Sequence, residues 1–142
     1  MKLVEWCESL LVGHDKIDAD HRKLVDLINQ LGQTIQSGGG KAACEQVLNA
    51  LIVHTWKHFE AEEKLMEEHH SPGADRHRLE HARLIDELLV FKAHFDDGTL
   101  AISPRLIEIL GEWLIRHIDE NDRKLAASLP TYVAPHALLM VA

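Results

Sequence analysis

Cysteine, basic residues and long apolar runs are all scarce in this sequence, and each scarcity excludes a class of protein. Cys7 and Cys44 are too few and too far apart to form a disulfide framework or a cysteine zinc site. Lys and Arg number 15 against 23 Asp and Glu, and the formal net charge of −8 argues against nucleic acid as a partner. No apolar run approaches the roughly 20 residues of a membrane span. The N-terminus lacks the apolar core of a signal peptide, so we expect a cytoplasmic protein.

Histidine is abundant instead, with 11 residues in a chain of 142. Neither charge nor solubility requires so many imidazoles, whereas imidazole is a common ligand for iron, zinc, copper and nickel. A chain of this length with 46% hydrophobic residues is large enough for one domain with its own core. The histidines therefore point to a metal site inside a single domain.

Apolar residues recur at spacings of three and four, the pattern of helices with one buried face. The pattern predicts four helices, at residues 18 to about 37 with Asp18 near the N-cap, 41 or 42 to 68, 74–95 and 104–128. Helices of this length with short connections favour an all-α fold, an up-down-up-down antiparallel four-helix bundle. We expect residues 1–129 to form the bundle, including an N-terminal arm of residues 1–17, and residues 130–142 to form a C-terminal tail.

Seven potential metal ligands lie along the four predicted helices. Two pairs are spaced four residues apart, which places each pair on one face of its helix. The set comprises His21, the pair His58 and Glu62, the pair His77 and His81, and His117 with Asp122. Burying seven polar side chains is costly unless a metal satisfies them together. Five imidazoles and two carboxylates therefore predict two metal ions that share both carboxylates.

Core histidines, a structural zinc site and a ferritin-like site all fit the spacing less well. A lone histidine on an apolar face is usually a hydrogen-bonded core residue, but here every predicted helix carries one. A structural zinc site closes with four ligands, often thiolates, and a ferritin-like site needs two Glu-x-x-His pairs. Glu67 and His70 fit that pair but have no mate elsewhere. His117 and Asp122 lie about 140° apart on an ideal α-helix, so we expect Asp122 to reach sideways.

The motifs around these residues resemble those of the hemerythrin family, specifically the single-domain bacterial hemerythrins. The resemblance extends from about Trp6 to Leu125 and covers most of the chain. Its motifs are Ile17-Asp18-Ala19-Asp20-His21, then His58-Phe59-x-x-Glu62-Glu63-x-x-Met66, then Pro72 ahead of His77-x-x-x-His81, and Trp113-Leu114-x-x-His117-Ile118-x-x-x-Asp122. Order, spacing and loop lengths all agree, and the combination is far more specific than any one His-x-x-x-His.

The resemblance implies a non-haem di-iron centre that binds dioxygen reversibly, in a carrier, store or scavenger and not in an enzyme. One iron would be held by three imidazoles and the other by two, which leaves the second iron an open position. The implied caps are His77, His81 and His117 for the first iron and His21 and His58 for the second. Glu62 and Asp122, together with an oxo or hydroxo group, would bridge the pair.

Apolar neighbours of the predicted ligands are candidates for the wall of an oxygen pocket. They are Leu24, Phe59, Trp113, Leu114 and Ile118. His54 replaces a tyrosine that relatives often carry one turn before the first ligand of the second helix, and we interpret it as a neighbour of the ligands. The remaining histidines are predicted to be surface residues: His14, His69, His70, His94 and His136.

Two further functions stay open from the sequence. A sensor of oxygen or redox state would act through a protein partner, with the apolar tail of residues 130–142 as its docking segment. A di-iron oxidase, peroxidase or nitric-oxide-handling enzyme would use the same open iron position. In all cases we expect dioxygen, or nitric oxide, as the small ligand, and a monomer or weak homo-oligomer without a membrane span.

Overall fold

Four long helices form most of the chain in the computed structural model, which describes residues 4–98 and 103–130. They are α1 (Asp15–Gln36), α2 (Lys41–Glu68), α3 (Ala74–Asp96) and α4 (Pro104–His117). A π-helical turn (Ile118–Asp122) and a short helix, α5 (Arg123–Ala127), continue α4. The described residues contain no strand. The structure thus confirms the predicted all-α fold and places α2 and α3 within one residue of their predicted limits.

Contacts between neighbouring helices show that the bundle is antiparallel. Lys41, at the start of α2, donates to the backbone carbonyl of Asp96 at the end of α3. At the opposite end of the same pair, Glu63 lies 3.2 Å from the imidazole of His81. The helix α1 packs against both α2 and α4. In an antiparallel bundle the first turns of one helix lie beside the last turns of the next helix.

The apolar core is divided into two clusters. The main cluster holds 16 buried residues from all four helices: Leu24, Val25, Leu27, Ile28, Leu31, Cys44, Val47, Leu48, Leu51, Leu88, Phe95, Leu106, Ile107, Leu110, Leu114 and Ile118. The small cluster, at the other end of the bundle, consists of Ile17, Met66 and Leu125. The seven predicted ligands lie between the two clusters along the helices, and all seven are buried. We call these seven residues the polar layer.

The first helix begins at Asp15, three residues before the predicted start. His14 is the N-cap, and its Nδ1 accepts a hydrogen bond from the backbone N–H of Ile17 at 3.3 Å. The carboxylate of Asp18 instead accepts from the backbone N–H groups of Val12 and Gly13. Histidine is not among the residues that usually cap helices, so this start was not visible in the sequence. His14 is also buried, and its predicted surface position is wrong.

The residues before α1 lie over α1 and α4. Asn29 of α1 accepts from the backbone N–H of Val4 at 2.8 Å and donates to its carbonyl at 2.7 Å. Val4 crosses α4 at Gly111, where an added Cβ would lie only 2.5 Å from the Val4 side chain. Trp6 packs against the main cluster, with the guanidinium of Arg22 at 4.8 Å from its ring. The arm is therefore part of the bundle's packing.

The predicted fourth helix, residues 104–128, is interrupted where the structure has its π-helical turn. Hydrogen bonds in a π-helix join residues five apart, and such turns are rare and often mark functional sites. His117 and Asp122 are five apart, so the turn brings both side chains to the same face. Asp122 does not have to reach sideways from a regular helix, and that expectation is corrected.

Two further expectations concern the whole chain, and the structure tests them only for the residues that it describes. Within the described residues, no helix combines the length and the apolar character needed to cross a membrane. The predicted tail of residues 130–142 lies outside the described residues, apart from Pro130, and so does His136.

Replacing Asn29 by alanine tests how firmly the arm is held. Two partly buried hydrogen bonds to Val4 would be lost, and we expect the free energy of unfolding to fall by about 1–2 kcal/mol. Urea denaturation would measure the change, with Gln30→Ala on the exposed face of α1 as the control. Equal stability of the two variants would contradict the anchoring role of Asn29.

Candidate metal centre

The structure brings all seven predicted ligands together in the middle of the bundle. Their imidazole and carboxylate atoms form two groups, and within each group these atoms lie within 4.8 Å of one another. One group contains Glu62, His77, His81, His117 and Asp122, and the other contains His21, His58, Glu62 and Asp122. The groups differ by one imidazole and share both carboxylates. Such an arrangement can hold two metal ions side by side.

Asp122 presents one oxygen to each group of imidazoles. Its Oδ1 lies 3.1 Å from the Nε2 atoms of both His77 and His117. Its Oδ2 lies 2.7 Å from Nε2 of His21 and 3.9 Å from Nε2 of His58. The two oxygens therefore face opposite halves of the polar layer.

Glu62 also links the two groups. Its Oε1 lies 3.1 Å from Nε2 of His58 and 3.3 Å from Nε2 of His81. Each of these imidazoles belongs to a different group, so Glu62 stands between the halves of the layer as Asp122 does. Two carboxylates in this position are the natural bridges of a metal pair.

Unsatisfied polar atoms show that the polar layer fits metal ions. Among the described residues, Nε2 of His58, His81 and His117 and both carboxylate oxygens of Glu62 are buried without a hydrogen-bond partner. The contacts of 3.1 and 3.3 Å between Glu62 and the two imidazoles lack hydrogen-bond geometry. Buried polar groups of this kind are costly and rare in folded proteins. Metal ions would give all of these atoms a partner at once.

The charges within the layer depend on one another. Burial lowers the pKa of His58, but the nearby carboxylates of Glu62, Asp122 and Asp20 raise it well above its usual value. Burial raises the pKa of Asp122, yet His117 and the imidazoles bonded to Asp122 hold it well below its usual value. Without metal, the raised pKa of His58 and the lowered pKa of Asp122 thus both favour a proton on the imidazole side of the layer. Metal binding must displace these protons, because the ligand atoms bind metal in their deprotonated form.

Sequence reasoning missed the outer partner of His58. The carboxylate of Asp20 lies 3.0 Å from Nδ1 of His58 and accepts a second bond from Lys16 Nζ at 2.9 Å. Burial raises the pKa of Asp20, but these two bonds lower it to about 2. A carboxylate on Nδ1 fixes the ring so that Nε2 faces the metal position.

Two more ligands have outer partners of the same kind. Glu63 lies 3.2 Å from Nδ1 of His81, and the side-chain amide of Asn121 lies 3.2 Å from Nδ1 of His117. The sequence holds a signal for these partners, since Asp20, Glu63 and Asn121 are each adjacent to a predicted ligand. Asp20 and Glu63 reach the back of a ligand on a neighbouring helix, whereas Asn121 reaches His117 one turn earlier in its own segment.

The predicted pocket residues occupy different positions around the polar layer. Phe59 stacks on His81, with ring centroids 3.9 Å apart, and lies 5.9 Å from the ring of His58. Three others are fully buried, namely Leu24, Leu114 and Ile118. Trp113 is only partly buried and lines a groove at the surface. Their role as a pocket wall stays a prediction.

The α3–α4 groove is an open cavity of about 860 Å³ between those two helices. His77 and His117 line it, together with Met66, Leu84 and several charged side chains of α3 and α4. Two ligands of the polar layer thus line a cavity that is open to the surface. No pattern in the sequence indicates this opening.

His54 lies outside the layer, near the backbone of Asp20. Burial lowers its pKa more than Asp20 raises it, and its buried Nε2 has no hydrogen-bond partner among the described residues. His54 therefore neighbours the outer partner of His58, and any influence on the metal centre stays a prediction. His69, His70 and His94 are exposed, as expected.

Comparison with known proteins gives a consistent result. Residues 12–129 match the family model described as the hemerythrin HHE cation binding domain. The chain is 31% identical to a bacteriohemerythrin of Stenotrophomonas maltophilia, over 94% of this chain and 86% of that protein. It is 30% identical to a bacteriohemerythrin of Ralstonia nicotianae, over 91% and 90%. The crystal structure of a wild-type hemerythrin shares the fold, with a TM-score of 0.83 at 23% identity, over 90% of this chain and 98% of that one.

The substitution Asp20→Asn tests the role of the outer partner. Loss of the carboxylate charge behind His58 should weaken metal binding about 10- to 100-fold, the usual effect of removing such a partner. Competition titration with Co²⁺ would measure the affinity, and Asp26→Asn on the exposed face of α1 is the control. An unchanged affinity would show that Asp20 does not orient His58.

Proposed function

This chain belongs to the hemerythrin family, and we propose that it binds dioxygen reversibly at a pair of iron ions in the polar layer. The observation that carries the proposal is the pair of ligand groups, unequal by one imidazole, that share Glu62 and Asp122. The relatives named bacteriohemerythrin and the matched cation-binding domain support the same function.

In the proposed centre, each residue of the polar layer has a defined role. The three imidazoles of His77, His81 and His117 would hold one iron, and those of His21 and His58 would hold the other. Glu62 and Asp122 would supply carboxylate oxygens to both, with an oxo or hydroxo group as a further shared ligand. The side with one imidazole fewer keeps room for a small external ligand.

When bound there, two ferrous ions would supply the redox chemistry of reversible dioxygen binding. The protein's part is to hold this pair in a dry, apolar setting. Leu24, Leu114 and Ile118 are buried beside the layer in the main cluster. Apolar walls exclude water and keep reactive species from leaking, which favours reversible binding over irreversible oxidation.

The surroundings of the layer support a binding role more than catalysis. Asp20, Glu63 and Asn121 are polar groups close to the metal positions, and each is engaged with the Nδ1 atom of an imidazole. Groups held in this way orient ligands and are not placed to transfer protons to a substrate. We therefore propose a carrier, store or scavenger and not an enzyme.

Several features of the proposal go beyond the site itself. A cytoplasmic location, a monomeric or weakly oligomeric state and a protein partner for the tail of residues 130–142 stay predictions. So does the division of the chain into a bundle of residues 1–129 and that tail.

Visible absorption of the reduced, iron-quantified protein tests the function directly. We expect two irons per chain and a band that appears when oxygen is admitted and disappears under argon. Irreversible oxidation, or turnover with peroxide or nitric oxide, would favour a sensor or an enzyme. Absence of bound iron would remove the metal assignment.

Replacing His58 by alanine should remove half of the imidazoles from the side with the open position. We expect the iron content to fall towards one per chain and the oxygen-dependent band to be lost. His69→Ala, an exposed histidine at the end of the same helix, should leave both unchanged. Full oxygen binding by the His58 variant would contradict the proposed ligand set.

A further inference from the structure

Two residues of the polar layer line a groove at the surface. His77 and His117 line the α3–α4 groove, and with exposed fractions of 7% and 4% they are the most accessible of the seven residues. The remaining five ligands are 0–2% exposed and do not line the groove. Both imidazoles belong to the three-imidazole group, so the groove opens on that half of the layer.

The apolar clusters close the layer along the axis of the bundle. The main cluster lies on one side and the small cluster of Ile17, Met66 and Leu125 on the other. Moving an ion through a medium of this kind costs several kcal/mol or more. A metal ion would therefore reach the layer from the side and not through either end of the core.

The walls of the groove carry charged side chains that can contact a hydrated ion. They carry four carboxylates, of Glu80, Glu87, Glu112 and Glu120, and four cationic side chains, so the groove has no net formal charge. Two of the carboxylates are bonded to Arg83. At the floor, Nε2 of His117 is buried and has no hydrogen-bond partner among the described residues. Carboxylate oxygens along the wall can replace water ligands before imidazole does.

Trp113 lines the same groove as His117. It lies four residues before His117 on α4, hence on the same face one turn away. Its ring is partly buried and lines the groove. Trp113 is thus a large side chain next to His117 in the lining of the groove, and its removal would widen the passage.

We propose that metal ions enter and leave the polar layer through the α3–α4 groove, that His77 and His117 are the first ligands they meet, and that Trp113 limits the rate. The inference rests on the proposed metal centre, but it requires neither iron nor dioxygen. A passage changes the rates of uptake and release by the same factor and leaves the affinity unchanged.

Uptake of Co²⁺ by the metal-free protein, followed by visible absorption, gives one rate, and removal of Co²⁺ by a chelator gives the other. Trp113→Ala widens the groove, and Glu112→Trp narrows it from an exposed position on the wall. Trp56→Ala is the matched control, because Trp56 is an exposed tryptophan on the surface of α2. Circular dichroism checks that each variant is folded.

We expect Trp113→Ala to raise both rates severalfold and Glu112→Trp to lower both, with unchanged affinity and no effect of Trp56→Ala. If neither groove variant changes uptake, or if the control changes it equally, metal enters elsewhere and the proposal is wrong. Faster release alone, with weaker affinity, would show damage to the centre and would also overturn it. Should Trp113→Ala fail to fold, Glu112→Trp decides alone.

The same experiment separates this inference from the proposed function. Groove-dependent Co²⁺ exchange in a protein that does not bind dioxygen would leave the passage standing and remove the function. If the unchanged protein fails to bind Co²⁺, the metal centre and the passage fall together.

Discussion

The single carboxylate of Asp122 contacts both groups of imidazoles, and this constraint explains much of the architecture around it. Its two oxygens face opposite halves of the polar layer, so the side chain must sit at the centre of the bundle with ligands from all four long helices around it. A side chain from a regular α-helix at this spacing would point away from His117. The π-helical turn removes that conflict by aligning residues five apart.

Burying a polar layer within a small core lowers the stability of the fold considerably. Each buried polar group without a partner costs about 1–3 kcal/mol, whereas whole domains are stable by about 5–15 kcal/mol. Outer partners limit this cost on the far side of the rings, where Asp20, Glu63 and Asn121 engage Nδ1 atoms. On the near side, several atoms of the layer have no hydrogen-bond partner within the part of the chain that the structure describes. These buried atoms therefore remain available as metal ligands, whereas the polar atoms of an ordinary core bond to one another.

Much of this could be predicted from the sequence, because periodicity and spacing are local. The limits of α2 follow from a glycine run and a proline turn, and the ligand pairs follow from helical spacing. Features that depend on distant contacts could not be predicted. His14 caps α1 although histidine rarely does so, and the turn after His117 is set by the needs of the centre and not by local propensity. The groove beside Trp113 is a gap between two helices, and a gap leaves no pattern in either helix.

The division of the core into two clusters affects the local order at one end of the bundle. The small cluster has only three buried residues, too few to hold one end of the bundle by apolar contact alone. That end comprises the start of α1, the turn between α2 and α3, and the helix α5. The polar layer lies between it and most of the main cluster, and Val12 packs against both clusters. Hydrogen bonds from Arg123 and Ser128 also hold this end. We expect its local order to depend in part on metal occupancy, so that slow hydrogen exchange there would report whether the centre is filled. The metal would act as the missing part of the core for that end of the bundle.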